Sequence, residues 1–208
     1  LLKRLDELSL LEESAQQVSQ ELNINRLISS VLAAAMRATQ VEFAAIALES
    51  TSVPDWFDVI IKEQRDNRVQ HRTISMTLDT GIVAQVVRSR EAVVIANNQA
   101  ASAYYAPPDA VVTYQSSLAV PLIKGDRVIG VLDIESTKPN FFTPEHMNFI
   151  KSLAGHAAVS LENANLVKKL NTSNERMRAI LNSTRDGIIL LDDEGRILDA
   201  NAAAQKML

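Results

Sequence analysis

Between Ser116 and Ser136 the chain reads SSLAVPLIKGDRVIGVLDIES, two apolar runs parted by Lys124-Gly125-Asp126. A short glycine-containing connector between such runs predicts a β-hairpin. Its two faces differ. One alternating set is Leu118, Val120, Leu122, Val128, Leu132 and Ile134, bulky enough for a packed core. The other is Ser117, Ala119, Pro121, Ile129, Val131, Asp133 and Glu135, which is smaller and partly polar. Such a pair can back a core on one side and a cavity on the other. Alternatively, the second face simply meets water, as in many antiparallel sheets.

The same patterning predicts the remaining elements. Leu1, Leu8, Ala15 and Leu22, with Leu11 and Val18, form a heptad stripe over residues 1–22. It predicts a coiled-coil helix, or an amphipathic helix lying on its own domain. Asn23 or Asn25 caps a second helix running to about Thr39, with Leu27, Ile28, Val31, Leu32, Ala35 and Met36 at helical spacing. Strands are predicted at Val41–Leu48, Phe57–Lys62, Gln70–Met76 and Val93–Ala96, with a short helix over Ile82–Arg88. Residues 97–113 have no clean period, and a loop of that length in a compact domain is often functional. Thr143, Pro144 and Glu145 give three agreeing helix-start signals, and no stop follows until about Ser183. The apolar stripe of this helix resets after Ala164 to Leu166, Leu170, Met177 and Ile180, a stutter.

Composition narrows the function classes. Of the 208 residues, 47% are apolar and 22% charged, the balance of a globular chain. A net charge of −4, without a basic cluster among aromatics, argues against nucleic acid as a partner. No apolar stretch reaches the ~20 residues that span a bilayer, so no membrane contact is expected and a cytoplasmic setting is. Opening on Leu1 without a leader pattern, the chain is expected to be a segment of a longer protein. Zero cysteines exclude disulfides, thiolate metal sites and cysteine nucleophiles. His71, His146 and His156 lack metal-ligand spacing, and Asp192-Asp193-Glu194 with Gly195 reads as a solvated turn. No phosphate loop or nucleophile elbow occurs. Neither a metal nor an enzyme is predicted.

SLAVPLI, GDRVIGVL and FFTPEHMNFIKSLAGHAAVSLENA, with Thr80–Ala84 and Glu91–Asn97 upstream, resemble a GAF domain over about Asn23 to Leu166. That family comprises small-molecule-sensing and regulatory modules of signalling proteins. The resemblance implies an α+β fold, an antiparallel sheet with helices on one face and loops and a short helix on the other. Long terminal coiled-coil helices would flank it. It also places a lid, within residues 97–113, over a ligand cavity. Bilin-binding relatives and methionine sulfoxide reductases of this fold depend on cysteine, which is absent here. Haem-binding relatives use a histidine, for which His71 is the least unsuited, though a surface role suits it better. The cyclic-nucleotide signature of the family keeps Phe142, but its Asn-Lys and Asp-Glu pairs fall on Ser136-Thr137 and His146-Met147. No cofactor and no cyclic-nucleotide binding in that manner are therefore expected. From Glu175 onward, Asp186-Gly187, Ile188–Leu191, the Asp192–Gly195 turn, Arg196–Asp199 and Asn201 resemble the opening of a PAS domain. This opening is expected to lack a sensing pocket of its own.

Four segments follow: a coiled-coil helix (1–22), a GAF domain (23–166), a connecting helix (167–183) and an incomplete PAS start (184–208). The candidate pocket combines Ala45, Ala47, Ser117, Ala119, Val131 and Asp133 of the small face with Asn97, Tyr104 and Tyr105 of the lid. Asp133 is the sharpest member, an acid in an apolar strand. It faces water at a strand edge or accepts a bond from a ligand amine or amide, or from a lid tyrosine. The expected function is a non-catalytic sensory module of a signal-transduction protein, a sensor histidine kinase of a two-component system or similar. It would bind an unidentified small molecule and signal through a helical homodimer to an output domain in the same chain. The alternative is a ligand-free dimerisation and spacing module.

Overall fold

The computed structural model describes residues 23–50, 53, 56–65, 68–77, 81–100 and 112–207. The expected heptad helix over 1–22 lies outside them. The chain forms two compact units that divide after Asn163.

The first unit is an α+β domain. Helix α1 (Ile24–Thr39) is followed by β1 (Phe43–Glu49), β2 (Trp56–Arg65), β3 (Arg68–Thr77), α2 (Gly81–Ser89), β4 (Val93–Ile95), β5 (Ser116–Lys124) and β6 (Arg127–Ser136). A long helix, α3 (Pro144–Ser183), begins in this unit. Asn23 caps α1, its side chain accepting from the amides of Asn25 and Arg26 at 3.1 and 3.3 Å. Gln40, left-handed at φ 54°, closes the helix. Thr143 caps α3 through the His146 amide at 3.3 Å, and Pro144 occupies the first helical position, where its missing N–H costs nothing.

The six strands form one antiparallel sheet in the order β3-β2-β1-β6-β5-β4. Each face carries its own core. On one, Leu27, Val31 and Leu32 of α1 and Ile150, Leu153 and Ala157 of α3 pack on Ala44, Ile46, Leu118, Val120, Leu122, Leu132 and Ile134. On the other, Ile82 and Val86 of α2 pack with Phe43, Ala45, Ala47, Phe57, Val59, Ala119 and Val131. The second face is therefore covered rather than turned to water.

Two side chains of the hairpin exchange the faces that strict alternation assigns them. Val128 packs with the α2 side and Ile129 with the α1/α3 side. The register explains why: Leu122 pairs with Gly130 but Ile123 pairs with Val128, leaving Ile129 as a bulge residue. One inserted residue inverts every side chain beyond it. Gly130 sits beside the bulge, where an added Cβ would stand 2.5 Å from the Ala47 carbonyl oxygen.

In the second unit, β7 (Ile189–Leu191) and β8 (Ile197–Ala200) form a hairpin, followed by α4 (Ala202–Met207). Asp192 organises the turn by accepting from the amides of Glu194 and Arg196 and from Arg196 Nε, all at 2.8–2.9 Å. These bonds hold its carboxyl below the usual carboxylate range. Asn201 is 7% exposed and ties the unit together. Its Oδ1 accepts from Ile188 and Ala204, and its Nδ2 donates to the carbonyls of Leu181 and Asp186. An open cleft of about 490 Å³ lies among Leu181, Ile188, Leu190, Asp199, Asn201 and Gln205. The apolar side chains of β7 and β8 are about half exposed.

Candidate functional site in the first unit

The sheet register sets the α2-covered face in rows. Ile61, Ala45, Asp133 and Ala119 stand side by side on β2, β1, β6 and β5, and the next row is Glu63, Phe43, Glu135 and Ser117. Of the nine residues expected to line the pocket, Ala45, Ala47, Ala119, Val131, Ser117 and Asp133 share this face. Tyr104 and Tyr105 lie outside the described residues. Asn97 is exposed, its side chain accepting from the Gln99 amide at 3.1 Å, and it does not join the face.

The neighbouring Asn98 takes that place. It is buried, donates from Nδ2 to the Tyr114 carbonyl at 3.2 Å, and accepts at Oδ1 from Ser117 Oγ at 3.0 Å. Its own amide donates to the Gln115 carbonyl at 2.7 Å. Tyr114 stacks on Phe43 with ring centroids 5.0 Å apart and donates its hydroxyl to the buried carboxylate of Glu63. The β2 alternation with Val59 and Ile61 already places Glu63 on this face; nothing in the pattern distinguishes Asn98 from Asn97.

Asp133 does not face water. It is 7% exposed on an interior strand of the sheet, flanked by Ala45 and Ala119. Its Oδ1 has no hydrogen-bond partner among the described residues. Burial pushes its carboxyl up to about 7, with the Ile134 amide opposing. Below that pH the neutral acid can donate a hydrogen bond. Above it, a buried carboxylate seeks a donor.

The polar row is tied to the start of α3. Ser116 Oγ donates to the Lys138 carbonyl at 2.7 Å, the Gln115 amide to the Ser136 carbonyl at 2.7 Å, and the Asn140 amide to the Ala96 carbonyl at 2.8 Å. The loop 137–143 therefore grips both the segment beside Asn98 and the strand bearing Ser117. Of the histidines, His146 lies against Phe141, with centroids 5.5 Å apart, and burial lowers its pKa. No group of three or more His, Asp or Glu able to hold a metal occurs among the described residues. No helix among them is long and apolar enough to cross a membrane.

An antiparallel sheet with two long helices on one face, and a short helix over a face carrying buried acids, makes an α+β domain. The chain belongs to the GAF domain family, whose model matches residues 21–162, and a PAS domain model matches residues 175–208. It is a GAF signalling module followed by the start of a PAS domain, and as such a regulatory unit rather than an enzyme. The fold is shared with the GAF domain of an Acinetobacter phosphoenolpyruvate-protein phosphotransferase (22% identity, TM-score 0.66, covering 77% of this chain and 95% of that one). It is also shared with the GAF domain of a Coxiella burnetii phosphoenolpyruvate-protein phosphotransferase (18%, TM-score 0.68, 79% and 98%). A free methionine-R-sulfoxide reductase of Neisseria meningitidis, solved with its substrate, is similar as well (18%, TM-score 0.63, 77% and 91%). At these identities the likeness is one of fold. No curated protein sequence matches the chain.

Proposed function

We propose that this chain is the sensory part of a signal-transduction protein, a sensor histidine kinase or similar. The α2-covered face takes a small molecule, and α3 relays its occupancy within a homodimer to an output domain of the same chain, in the cytoplasm. The observation that carries this reading is the hydrogen-bonded path from Ser117 and Asn98, through Ser116 and Gln115, to the loop that starts α3. A ligand that shifts β5 or β6 must strain that path. Coupling of this kind is worth only about 1–3 kcal/mol, enough when the receiving element has two arrangements of similar energy. The coiled-coil pairing suits the stripe on α3 after its reset, where Leu166, Leu170, Met177 and Ile180 are exposed.

The spacing-module reading has its own support, because Phe43 and Phe57 fill part of the small face. Native mass spectrometry with an absorbance scan of freshly purified protein separates the readings. A dimer carrying a small-molecule adduct supports the sensor; a dimer without one supports the spacer. A clean monomer overturns the dimeric relay.

A further inference from the structure

The six-stranded sheet ends on two unlike edges. β4 is three residues long, a short edge that offers little to another strand. β3 is ten residues, about 33 Å of extended chain, and pairs with β2 residue for residue from Arg68 to Thr77 without a bulge. It contains no proline and no lysine, and among the described residues its backbone bonds only to β2. Gln70, Thr73, Ser75 and Thr77 are exposed. Alternate residues of such a strand turn their N–H and C=O groups away from the sheet, and an extended chain adds to it through them.

The charge around this edge selects what adds. Residues 62–72 carry Lys62, Arg65, Arg68 and Arg72 against Glu63 and Asp66, in a chain whose net charge is −4. Glu63 is buried and bonded to Tyr114, and Arg72 has a partner as well. Lys62 stands one strand in from the edge, level with His71, on the face that α1 covers, and Arg37 in the last turn of α1 lies near it. Burial and the Arg37 guanidinium lower the Lys62 pKa, and among the described residues neither cation forms an ion pair. Two like charges held together favour an anion near both. A strand added beyond β3 runs about 10 Å from Lys62, two strand spacings, within reach of a lysine and a glutamate extended toward each other. A second copy fits less well. Arg72 and Thr73 are the middle of β3, so full-length antiparallel pairing of two copies sets Arg72 beside its own counterpart.

We propose that β3 is a docking edge for an extended, acidic segment of a partner polypeptide, which adds as a further strand with its carboxylates on the Arg37 and Lys62 side. Backbone bonds to β3 hold the segment, and the two cations choose its charge. The proposal is independent of whether the α2-covered face takes a ligand.

The test uses the full chain with a capped decapeptide alternating glutamate and threonine, its lysine–threonine counterpart, and a peptoid of equal negative charge that has no backbone N–H. The glutamate peptide is expected to bind saturably and to slow amide exchange within 68–77 about tenfold at saturation, leaving β4 unchanged. The peptoid and the lysine peptide should each bind roughly tenfold more weakly or not at all. Arg37→Glu combined with Lys62→Glu should weaken the glutamate peptide roughly tenfold, with an unchanged thermal melt showing that the variant folds. Lys151→Glu, exposed on α3, should change nothing. Equal binding of the peptoid, or of decathymidylate, reduces the surface to charge attraction and overturns strand addition. Equal binding of the lysine peptide overturns the acidic partner. Protection of β3 that grows with protein concentration in the absence of peptide assigns the edge to a second copy and overturns the proposal, as does saturable binding of none of the probes.

Discussion

Ser117 Oγ donates to Asn98 Oδ1 at 3.0 Å, and both residues are buried. Through this bond, strand β5 holds the segment that follows β4 against the Tyr114 carbonyl. Asn98→Ala leaves the Ser117 hydroxyl and a carbonyl short of partners, which is expected to cost roughly 1–3 kcal/mol in urea unfolding. Asn97→Ala, one residue away but exposed, should stay within about 0.5 kcal/mol of the parent.

Stability should fall as pH rises. The folded-state pKa of Asp133 is raised, so the folded chain holds this proton more tightly than the unfolded one. Its contribution is full below the unfolded value near 4 and is lost as pH climbs to about 7. The loss is on the order of 4 kcal/mol. Asp133→Asn should therefore raise Tm at pH 8 and leave it nearly unchanged at pH 4, as read by thermal melts across that range.

Gly130→Ala should destabilise the domain by roughly 1–3 kcal/mol, because the new methyl meets the Ala47 carbonyl oxygen and Leu48 Cδ2 in the β1–β6 pairing. Gly125→Ala meets open space but forces a φ of +55° on an L-residue, which should cost about 1 kcal/mol. Denaturant midpoints of the two variants rank them.

In the second unit, Asn201→Ala removes bonds to four backbone groups of Leu181, Asp186, Ile188 and Ala204. Hydrogen exchange of Ile189–Leu191 and Ile197–Ala200 should speed at least tenfold, while α1 and the six-stranded sheet keep their protection.

Much of the fold was legible because burial follows period. The alternation of Leu118, Val120 and Leu122 and the helical spacing of Leu27, Val31 and Leu32 each name a core-facing side. Capping chemistry is equally local, so Asn23 and the Thr143-Pro144 start could be read directly. The composition of the α2-covered face was legible in part. Ala45, Ala47, Ser117, Ala119, Val131 and Asp133 share a face because alternation holds along uninterrupted strands. Alternation failed at Val128 and Ile129, because a bulge arises from the pairing of two strands rather than from either one.

The sequence by itself determined the strand and helix succession, the GAF and PAS resemblances, and the exclusion of cysteine chemistry. Only the tertiary structure decided that Asp133 is buried rather than wet, since that depends on β1 and β5 closing on both sides of β6 and α2 lying over them. It also chose Asn98 over Asn97. Adjacent residues in an irregular segment carry no period, and which one turns inward is set by the Tyr114 carbonyl and the Ser117 hydroxyl that wait to be bonded.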